Sequence, residues 1–208
     1  MPRRAIIQRR RRVFDDFFKI DELLIAHEKT DGTMSAVQSR LVFERGDSVA
    51  VLLFHVERKS VLLVEQFRVP ALLGRRRDDP TSADGWIVET VAGMIDGNET
   101  GEAAAIRETL EETGYQIGSL QPIGKFFSSP GGSSERIFLY FAEVRDADRT
   151  GKGGGIDDED IKIVEVPIND LFDRLGRGAI EDPKLWIMAY WLRDRLTWQG
   201  STGSGSKA

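Results

Sequence analysis

The chain has 208 residues, of which 40% are hydrophobic and 30% charged, a size and composition that suit one compact domain with short appendages. It contains no cysteine, which excludes disulfides, thiolate metal sites and a cysteine nucleophile. A bound metal would therefore be held mainly by oxygen, which favours magnesium, manganese or calcium over zinc. No apolar run approaches the roughly 18 residues that a membrane span needs. We expect a cytoplasmic protein that does not enter a membrane.

Both ends of the chain differ in composition from the middle. The first twelve residues include six arginines (Arg3, Arg4, Arg9, Arg10, Arg11 and Arg12), with Asp15 and Asp16 soon after and no apolar segment. This pattern is typical of neither a secretory signal nor a transit peptide. We predict a mobile basic arm over residues 1–12, with nucleic acid not an expected partner. Residues 199–208 are rich in glycine and serine and are predicted to be a disordered tail.

The first predicted elements are β-strands. Two half-apolar runs between residues 17 and 43 flank Asp31-Gly32, a dipeptide that favours a hairpin, and they predict an N-terminal β unit over residues 13–45. Aliphatic runs at 49–56 and 61–69 predict a second hairpin. His55 falls in this hairpin without a recognisable partner, so we assign it no chemistry. Residues 75–85 are predicted to form a surface loop, and 86–91 a strand.

The later elements alternate between helices and strands. Helix formers at 101–113, with Thr100 or Asn98 before them and Gly114 after, predict the clearest helix of the chain. Strands are predicted at 120–127, 136–144 and 161–166, and helices at 168–175 and 185–196. The order predicts an α/β (α+β) fold, a mixed β-sheet between helices, with residues 46–198 as the main domain.

Three glutamates stand on one face of the predicted central helix. Glu108 and Glu112 are four residues apart and Glu111 lies between them, so all three carboxylates project from neighbouring positions. Each like-charge pair costs about a few tenths of a kcal/mol unless a cation is bound. Spacing alone leaves two interpretations open, a metal site and an ordinary solvated acidic face.

A longer pattern surrounds these glutamates. Gly93 is followed after five residues by Glu99 and after seven more by Arg107-Glu108, then by Glu111-Glu112 and Gly114. This arrangement resembles the Nudix box at every invariant position, and only Thr109 and Tyr115 replace the usual aliphatic residues. The resemblance implies the Nudix fold and divalent cations, Mg²⁺ with Mn²⁺ as the alternative, held by Ala92 through its carbonyl and by Glu108, Glu111 and Glu112. It implies supporting roles for Arg107 and Glu99.

The chemistry agrees with this resemblance. Charged oxygens of a diphosphate repel an attacking hydroxide, so a hydrolase must neutralise that charge and position a water molecule. Magnesium bound by carboxylates can do both, because it keeps water and substrate phosphates among its ligands.

Segments outside the box resemble the ADP-ribose pyrophosphatase and GDP-mannose hydrolase subgroup. These are Gln66-Phe67-Arg68, Glu89, the segment from Ser129 to Glu135, and the glycine-rich acidic loop 153–160. The resemblance implies that Arg68, Glu89 and Glu135 bind substrate. It also implies that the loop supplies the general base, with Glu159 as the first choice and Asp157 as the second. Glu111 is the alternative base on the helix. Glu159 is also implied as a further metal ligand. Lys184 resembles a lysine that the GDP-mannose branch uses near the sugar phosphate.

The resemblance implies a magnesium-dependent hydrolase of nucleoside diphosphate sugars, GDP-mannose or ADP-ribose, that yields a nucleoside monophosphate and a sugar phosphate. It also implies a homodimer formed through the N-terminal β unit. Two alternatives remain: a Nudix hydrolase of dinucleoside polyphosphates or RNA caps, and an inactive nucleotide-sensing module. The sequence leaves open the preferred base and sugar and the number of metals.

Overall fold

We describe the fold from a computed structural model that covers residues 3–156 and 159–202, with side chains described as far as residue 197. The chain divides into two compact units. One comprises Met1–Asp47 and Phe126–Ile137, and the other comprises Ser48–Lys125 and Phe138–Ala208. No helix in the described ranges combines the length and the apolar character that a membrane crossing requires.

The first unit contains a three-stranded antiparallel sheet in the order β1-β2-β3. Its strands are β1 (Ala5–Asp15), β2 (Lys19–His27) and β3 (Gln38–Glu44). The predicted pairing of the two runs around Asp31-Gly32 is confirmed, since β2 pairs with β3 in an antiparallel register. Gly32 adopts a φ of 81°, a left-handed conformation that glycine tolerates best.

The prediction of a mobile basic arm over residues 1–12 is wrong for residues 5–12, which belong to β1. The physical reason is charge pairing across the sheet. Arginines 10 and 12 bind Asp21 of β2, whereas arginines 9 and 11, on the other face of the strand, bind Glu22. These arginines bind carboxylates on the neighbouring strand of the same sheet. Local sequence patterns do not show which strands become neighbours.

The Asp21 carboxylate is the centre of this pairing, and it gives a first prediction. Its side chain is 2% exposed, against 20% for Glu22. We expect Asp21→Asn to lower the melting temperature more than the control Glu22→Gln, because it leaves two arginines facing a buried neutral group.

The pH dependence of this effect has a definite sign. The hydrogen bond from Arg12 lowers the pKa of Asp21 below its ordinary value, so the stabilisation is present above the unfolded pKa of about 3.9 and is lost as the pH falls through the folded pKa. The difference in melting temperature between wild type and Asp21→Asn should therefore shrink below about pH 4. Equal melting temperatures for the two variants at pH 7 would contradict this role for Asp21.

The larger sheet has seven strands, with β10-β5-β4-β9-β8 in order, β6 beside β5 and β7 beside β4. These strands are β4 (Ser48–His55), β5 (Ser60–Phe67), β6 (Trp86–Glu89), β7 (Val91–Met94), β8 (Gln121–Phe127), β9 (Arg136–Val144) and β10 (Lys162–Pro167). The four helices are α1 (Val69–Arg75), α2 (Gly101–Thr113), α3 (Ile168–Gly176) and α4 (Pro183–Thr202).

Helices cover both faces of the central strands. Every residue of β4 is buried, as expected for a strand with apolar contacts on each side. Val49, Val51 and Leu53 belong to one apolar cluster with Ala104 and Ala105 of α2. On β5, Leu63 lines a cavity with Leu171 of α3 and Leu185 of α4. The prediction of a mixed sheet between helices is confirmed.

Several boundaries differ from the prediction, and the strand predicted over 86–91 is two strands, β6 and β7. The strand predicted to reach residue 69 ends at Phe67, and the short helix α1 begins at Val69, with Pro70 in its first turn where its missing N–H costs nothing. At the other end, α4 continues to Thr202, so residues 199–202 of the predicted tail are helical. The rest of that tail lies outside the described residues.

Candidate active site

Helix α2 begins and ends where its capping residues place it. Thr100 accepts a hydrogen bond from the backbone N–H of Ala103 at 3.2 Å, and Gly114 closes the helix in a left-handed conformation with φ 74°. A side chain at Gly114 would also collide with the Gly151 carbonyl, because a Cβ there would lie 2.3 Å from that oxygen. The helix is thereby fixed at both ends.

Arg107 connects the helix to the loop before it. Its guanidinium donates to both carboxylate oxygens of Glu99, at 3.1 and 3.0 Å, and to the Met94 carbonyl at 3.1 Å. The same group contacts Glu108 at 2.8 Å and Glu111 at 3.1 Å. Arg107 therefore offsets the repulsion between two of the three predicted metal-binding carboxylates.

Glu112 is in a different environment from its two neighbours. Its side chain is buried, and its Oε2 atom has no hydrogen-bond partner among the described residues. Burial and, after it, the charge of Glu108 raise the pKa of Glu112 to about 8, although a hydrogen bond from the Ala92 backbone N–H acts in the opposite direction. An unpaired buried carboxylate is costly unless a cation or a proton accompanies it.

The surroundings of Glu112 fit a divalent cation. Burial also raises the pKa of Glu108, so the carboxyl groups of Glu108 and Glu112 lie together with little access to solvent. A Cβ at Gly93 would lie 1.8 Å from Glu108 Oε1, so only glycine leaves room for this carboxylate. Oxygen ligands of this kind suit a hard cation such as magnesium.

The glycine-rich loop is attached to the C-terminal end of α2. The N–H groups of Gly154 and Gly155 donate to the carbonyls of Glu112 and Glu111, at 2.8 and 3.1 Å, which satisfies acceptors that a helix end leaves open. This attachment brings Glu159 near the helix carboxylates, since its charge contributes to the raised pKa of both Glu108 and Glu112. Glu159 itself accepts a hydrogen bond from the Ile156 N–H at 3.1 Å. The other predicted base, Asp157, lies outside the described residues.

Three of the four predicted substrate-binding residues form one ion-pair chain. Arg68 donates to Glu89 at 2.7 Å, and Lys184 contacts the other oxygen of Glu89 at 3.1 Å. The positive charge of Arg68 helps to lower the pKa of Glu112, which indicates that this chain lies near the helix carboxylates. Asp182 extends the chain, with its Oδ1 2.8 Å from Lys184 Nζ.

The role of Asp182 is not evident from the motifs of the sequence. Its position before Pro183 at the start of a helix is the signal that could have found it, because aspartate is favoured at the N-cap and proline at the next position.

Comparison with known proteins identifies the family. The NUDIX domain profile matches residues 44–186. The chain belongs to the Nudix family. The GDP-mannose pyrophosphatase of Cronobacter sakazakii is 33% identical over 181 residues, covering 87% of this chain and 91% of that protein. The GDP-mannose pyrophosphatase of Klebsiella pneumoniae is 34% identical over 179 residues, covering 86% of each chain.

A solved structure described as an ADP compounds hydrolase has the same fold. It aligns with a TM-score of 0.62 and covers 92% of this chain and 95% of that chain, at 19% sequence identity. At this identity the likeness concerns the fold alone. The enzyme class predicted from the box is confirmed by the family match: the protein is a Nudix hydrolase.

Glu135, the fourth predicted substrate-binding residue, belongs to the other unit of this Nudix protein. It is buried, and its backbone N–H donates to Ser133 Oγ at 3.1 Å. The segment before it pairs with the end of β3, where Gly132 accepts from Phe43 and Ser134 donates to Phe43. The substrate-binding role of Glu135 stays a prediction.

A second group of potential ligands lies outside the Nudix box. Ligand atoms of His55, Glu57 and Asp146 are within 4.8 Å of one another. His55 Nδ1 accepts a hydrogen bond from the Arg58 N–H at 3.3 Å, so the neutral ring carries its proton on Nε2. That nitrogen lies 3.2 Å from Asp146 Oδ1 without the geometry of a hydrogen bond, and Arg58 contacts Asp146 at 3.0 Å. A proton and a guanidinium thus take the place that a cation would need.

The raised pKa of Glu112 predicts that cation binding releases a proton. With a pKa of about 8, the carboxyl group is largely protonated at pH 7 and must ionise to act as a ligand. Titration of the metal-free protein with Mg²⁺ or Mn²⁺ in two buffers of different ionisation enthalpy should show proton release at pH 7. In Glu112→Gln the release should be lost, and in the surface control Glu102→Gln it should remain. Proton release that persists unchanged in Glu112→Gln would contradict the assignment.

Proposed function

We propose that this Nudix hydrolase splits the diphosphate of nucleoside diphosphate sugars into a nucleoside monophosphate and a sugar phosphate. GDP-mannose is the proposed preferred substrate, and ADP-ribose is its competitor. Relatives named GDP-mannose pyrophosphatase, about one third identical over most of both chains, support the substrate class. Magnesium as the cation and a cytoplasmic location belong to the same proposal.

The observation that carries the proposal is the buried Glu112 carboxyl group beside Glu108, with Glu159 and Arg68 close enough to influence its pKa. Magnesium bound there would neutralise diphosphate charge and lower the pKa of a bound water molecule. The residues proposed to hold it are Ala92, through its carbonyl oxygen, and the carboxylates of Glu108, Glu111, Glu112 and Glu159. Arg68, whose side chain is 43% exposed, can meet a diphosphate oxygen from solvent.

Glu159 is the proposed general base. Helix carboxylates committed to a cation are poor proton acceptors, and Glu111 is in addition paired with Arg107. Glu159 lies on the glycine-rich loop, where its carboxylate accepts a hydrogen bond from the Ile156 N–H, and we propose that it accepts the proton of the attacking water. Asp157 of the same loop is the second candidate, and Glu111 the third.

Glu89 and Lys184 are proposed to bind the substrate together with Arg68, and a substrate-binding role is proposed for Glu135 separately. The ammonium group of Lys184 is held in place beside Glu89 rather than free in solvent. A fixed positive charge there would attract a phosphate oxygen, which GDP-mannose and ADP-ribose both carry, so the preference for GDP-mannose rests on the named relatives.

A substrate panel tests this proposal. In the presence of Mg²⁺ the protein should hydrolyse GDP-mannose with a higher kcat/KM than ADP-ribose, diadenosine polyphosphates or capped RNA, and a chelator should abolish turnover. Glu108→Gln, Glu111→Gln and Glu112→Gln should each lower kcat by about two orders of magnitude or more, since the amide keeps the shape but loses the ligand charge. The surface variant Glu102→Gln is the matched control on the same helix.

Two results would count against the proposal. Binding of GDP-mannose without turnover would identify a sensing module, and near wild-type rates in all three box variants would show that the helix carboxylates are not needed.

We further propose that two copies of the chain associate through the N-terminal β unit, residues 13–45, extended by β1. Strand β1 is an edge strand exposed along its whole length. Its exposed apolar side chains include Ile7 and Phe14, and Phe17 after it is 86% exposed. An edge strand that carries exposed apolar side chains is a ready surface for a second chain.

Light scattering coupled to size exclusion tests the association. Wild type should be a dimer at micromolar concentration, and Ile7→Lys with Phe14→Lys should shift it to a monomer. The control Ile187→Lys, an exposed apolar position on α4, should stay dimeric. A fully active wild-type monomer would rule the dimer out.

A further inference from the structure

Asp182 uses its two carboxylate oxygens for two separate tasks. Its side chain is 0% exposed. Oδ2 accepts from the Thr90 N–H at 3.1 Å, the Thr90 hydroxyl at 3.3 Å and the Leu185 N–H at 3.3 Å, which ties the start of α4 to the strand region at Thr90. Oδ1 accepts from the Lys184 N–H at 3.0 Å and contacts the Lys184 ammonium group at 2.8 Å. Helix capping explains the bonds from the Leu185 and Lys184 N–H groups, and the Thr90 bonds tie the helix start to that residue, but the ion pair with the Lys184 ammonium group needs a different reason.

The ion pair determines where the Lys184 ammonium group lies. The lysine side chain is 13% exposed, and its Nζ lies between Asp182 Oδ1 and Glu89 Oε1. Glu89 binds Arg68 through its other oxygen, so positive and negative groups alternate from Asp182 to Arg68. These two carboxylates can accept two of the three ammonium protons, which leaves one for a further acceptor.

The charge of Lys184 also depends on these partners. Burial lowers the pKa of Lys184, but the charges of Asp182 and Glu89 outweigh it, and the pKa ends above its ordinary value. With Asp182 neutral, the ammonium group would keep one carboxylate, Glu89, which Arg68 already binds. Lys184 would then move toward Glu89, and its pKa would fall.

We infer that Asp182 is a positioning residue for substrate recognition, which fixes the Lys184 ammonium group so that its remaining proton meets a phosphate oxygen of the substrate. This inference rests on the proposed function. Asp182 does not itself contact the substrate, and its effect passes through Lys184. It therefore predicts that removing the Asp182 charge has no further consequence once the Lys184 charge is absent.

A double-mutant cycle tests this dependence. Asp182→Asn is the informative variant, because its amide oxygen can keep the Oδ2 contacts while its NH₂ group replaces the oxygen that faces Lys184. Asp182→Asn should lower kcat/KM for GDP-mannose about tenfold, Lys184→Met should lower it at least as much, and the double variant should equal Lys184→Met alone. Glu181→Gln is the control. It removes one negative charge at the residue next to Asp182, from a side chain that pairs with Arg75 and not with Lys184. Multiplicative losses in the double variant would overturn the inference.

A second measurement does not depend on turnover. In protein with ¹³C-labelled lysine, the Lys184 signal, assigned by its loss in Lys184→Met, should titrate at lower pH in Asp182→Asn than in wild type, and should be unchanged in Glu181→Gln. An unchanged titration in Asp182→Asn would overturn the positioning role. If wild type hydrolyses no nucleotide sugar, the proposed function fails, and this titration still decides whether Asp182 controls Lys184.

Discussion

The burial of the Glu112 carboxyl group is the constraint on which the rest of the site depends. A carboxylate removed from water, with one oxygen lacking a partner, must take up a proton or acquire a cation. Glu108 and Glu111 both pair with Arg107, although burial raises the pKa of Glu108 as well. The three glutamates therefore differ in kind. Glu108 and Glu111 are held in place by the Arg107 guanidinium, whereas Glu112 has a carboxylate oxygen without a partner in the described ranges.

The loop that carries the proposed base follows from the same helix. A helix end leaves carbonyl groups without donors, and the glycine-rich loop supplies N–H groups to the carbonyls of Glu111 and Glu112. The glycines permit this approach, since a Cβ at Gly153 would lie 2.6 Å from the Glu112 carbonyl oxygen. The same residues thus provide ligands through their side chains and an anchor for the loop through their backbone. Loop and helix cannot be repositioned independently.

Local patterns predicted the parts of the fold that local interactions determine. Helix α2 begins after Thr100 and ends before Gly114, where the capping residues predicted its limits. The buried strands also follow their aliphatic runs. The N-terminal arginines show the limit of this approach, because their partners Asp21 and Glu22 are distant in sequence and become neighbours only when β1 and β2 pair. The short helix α1 was missed for a different reason, since it has no buried residue that could produce an apolar period.

The candidate site was predicted to a similar extent. The spacing of the box identified the residues that the structure brings together around Glu108 and Glu112, and the resemblance to a subgroup added Arg68, Glu89 and Lys184. The sequence did not indicate that these three form one chain of ion pairs that ends at Asp182. Asp182 acts through Lys184, so the sequence shows only its position before the first residue of α4 and no catalytic motif. The raised pKa values of Glu108 and Glu112 also depend on burial, which spacing does not report.

The most direct test of this account is the position of a bound divalent cation. Crystals of the protein soaked with Mn²⁺, which can replace Mg²⁺ at oxygen-rich sites, would locate the ion by its anomalous scattering. We predict a peak between the carboxylates of Glu108 and Glu112, and its loss in Glu112→Gln. A peak at His55, Glu57 and Asp146 with none at the box would contradict the account, because the cation would then be bound where the Nudix glutamates cannot reach it.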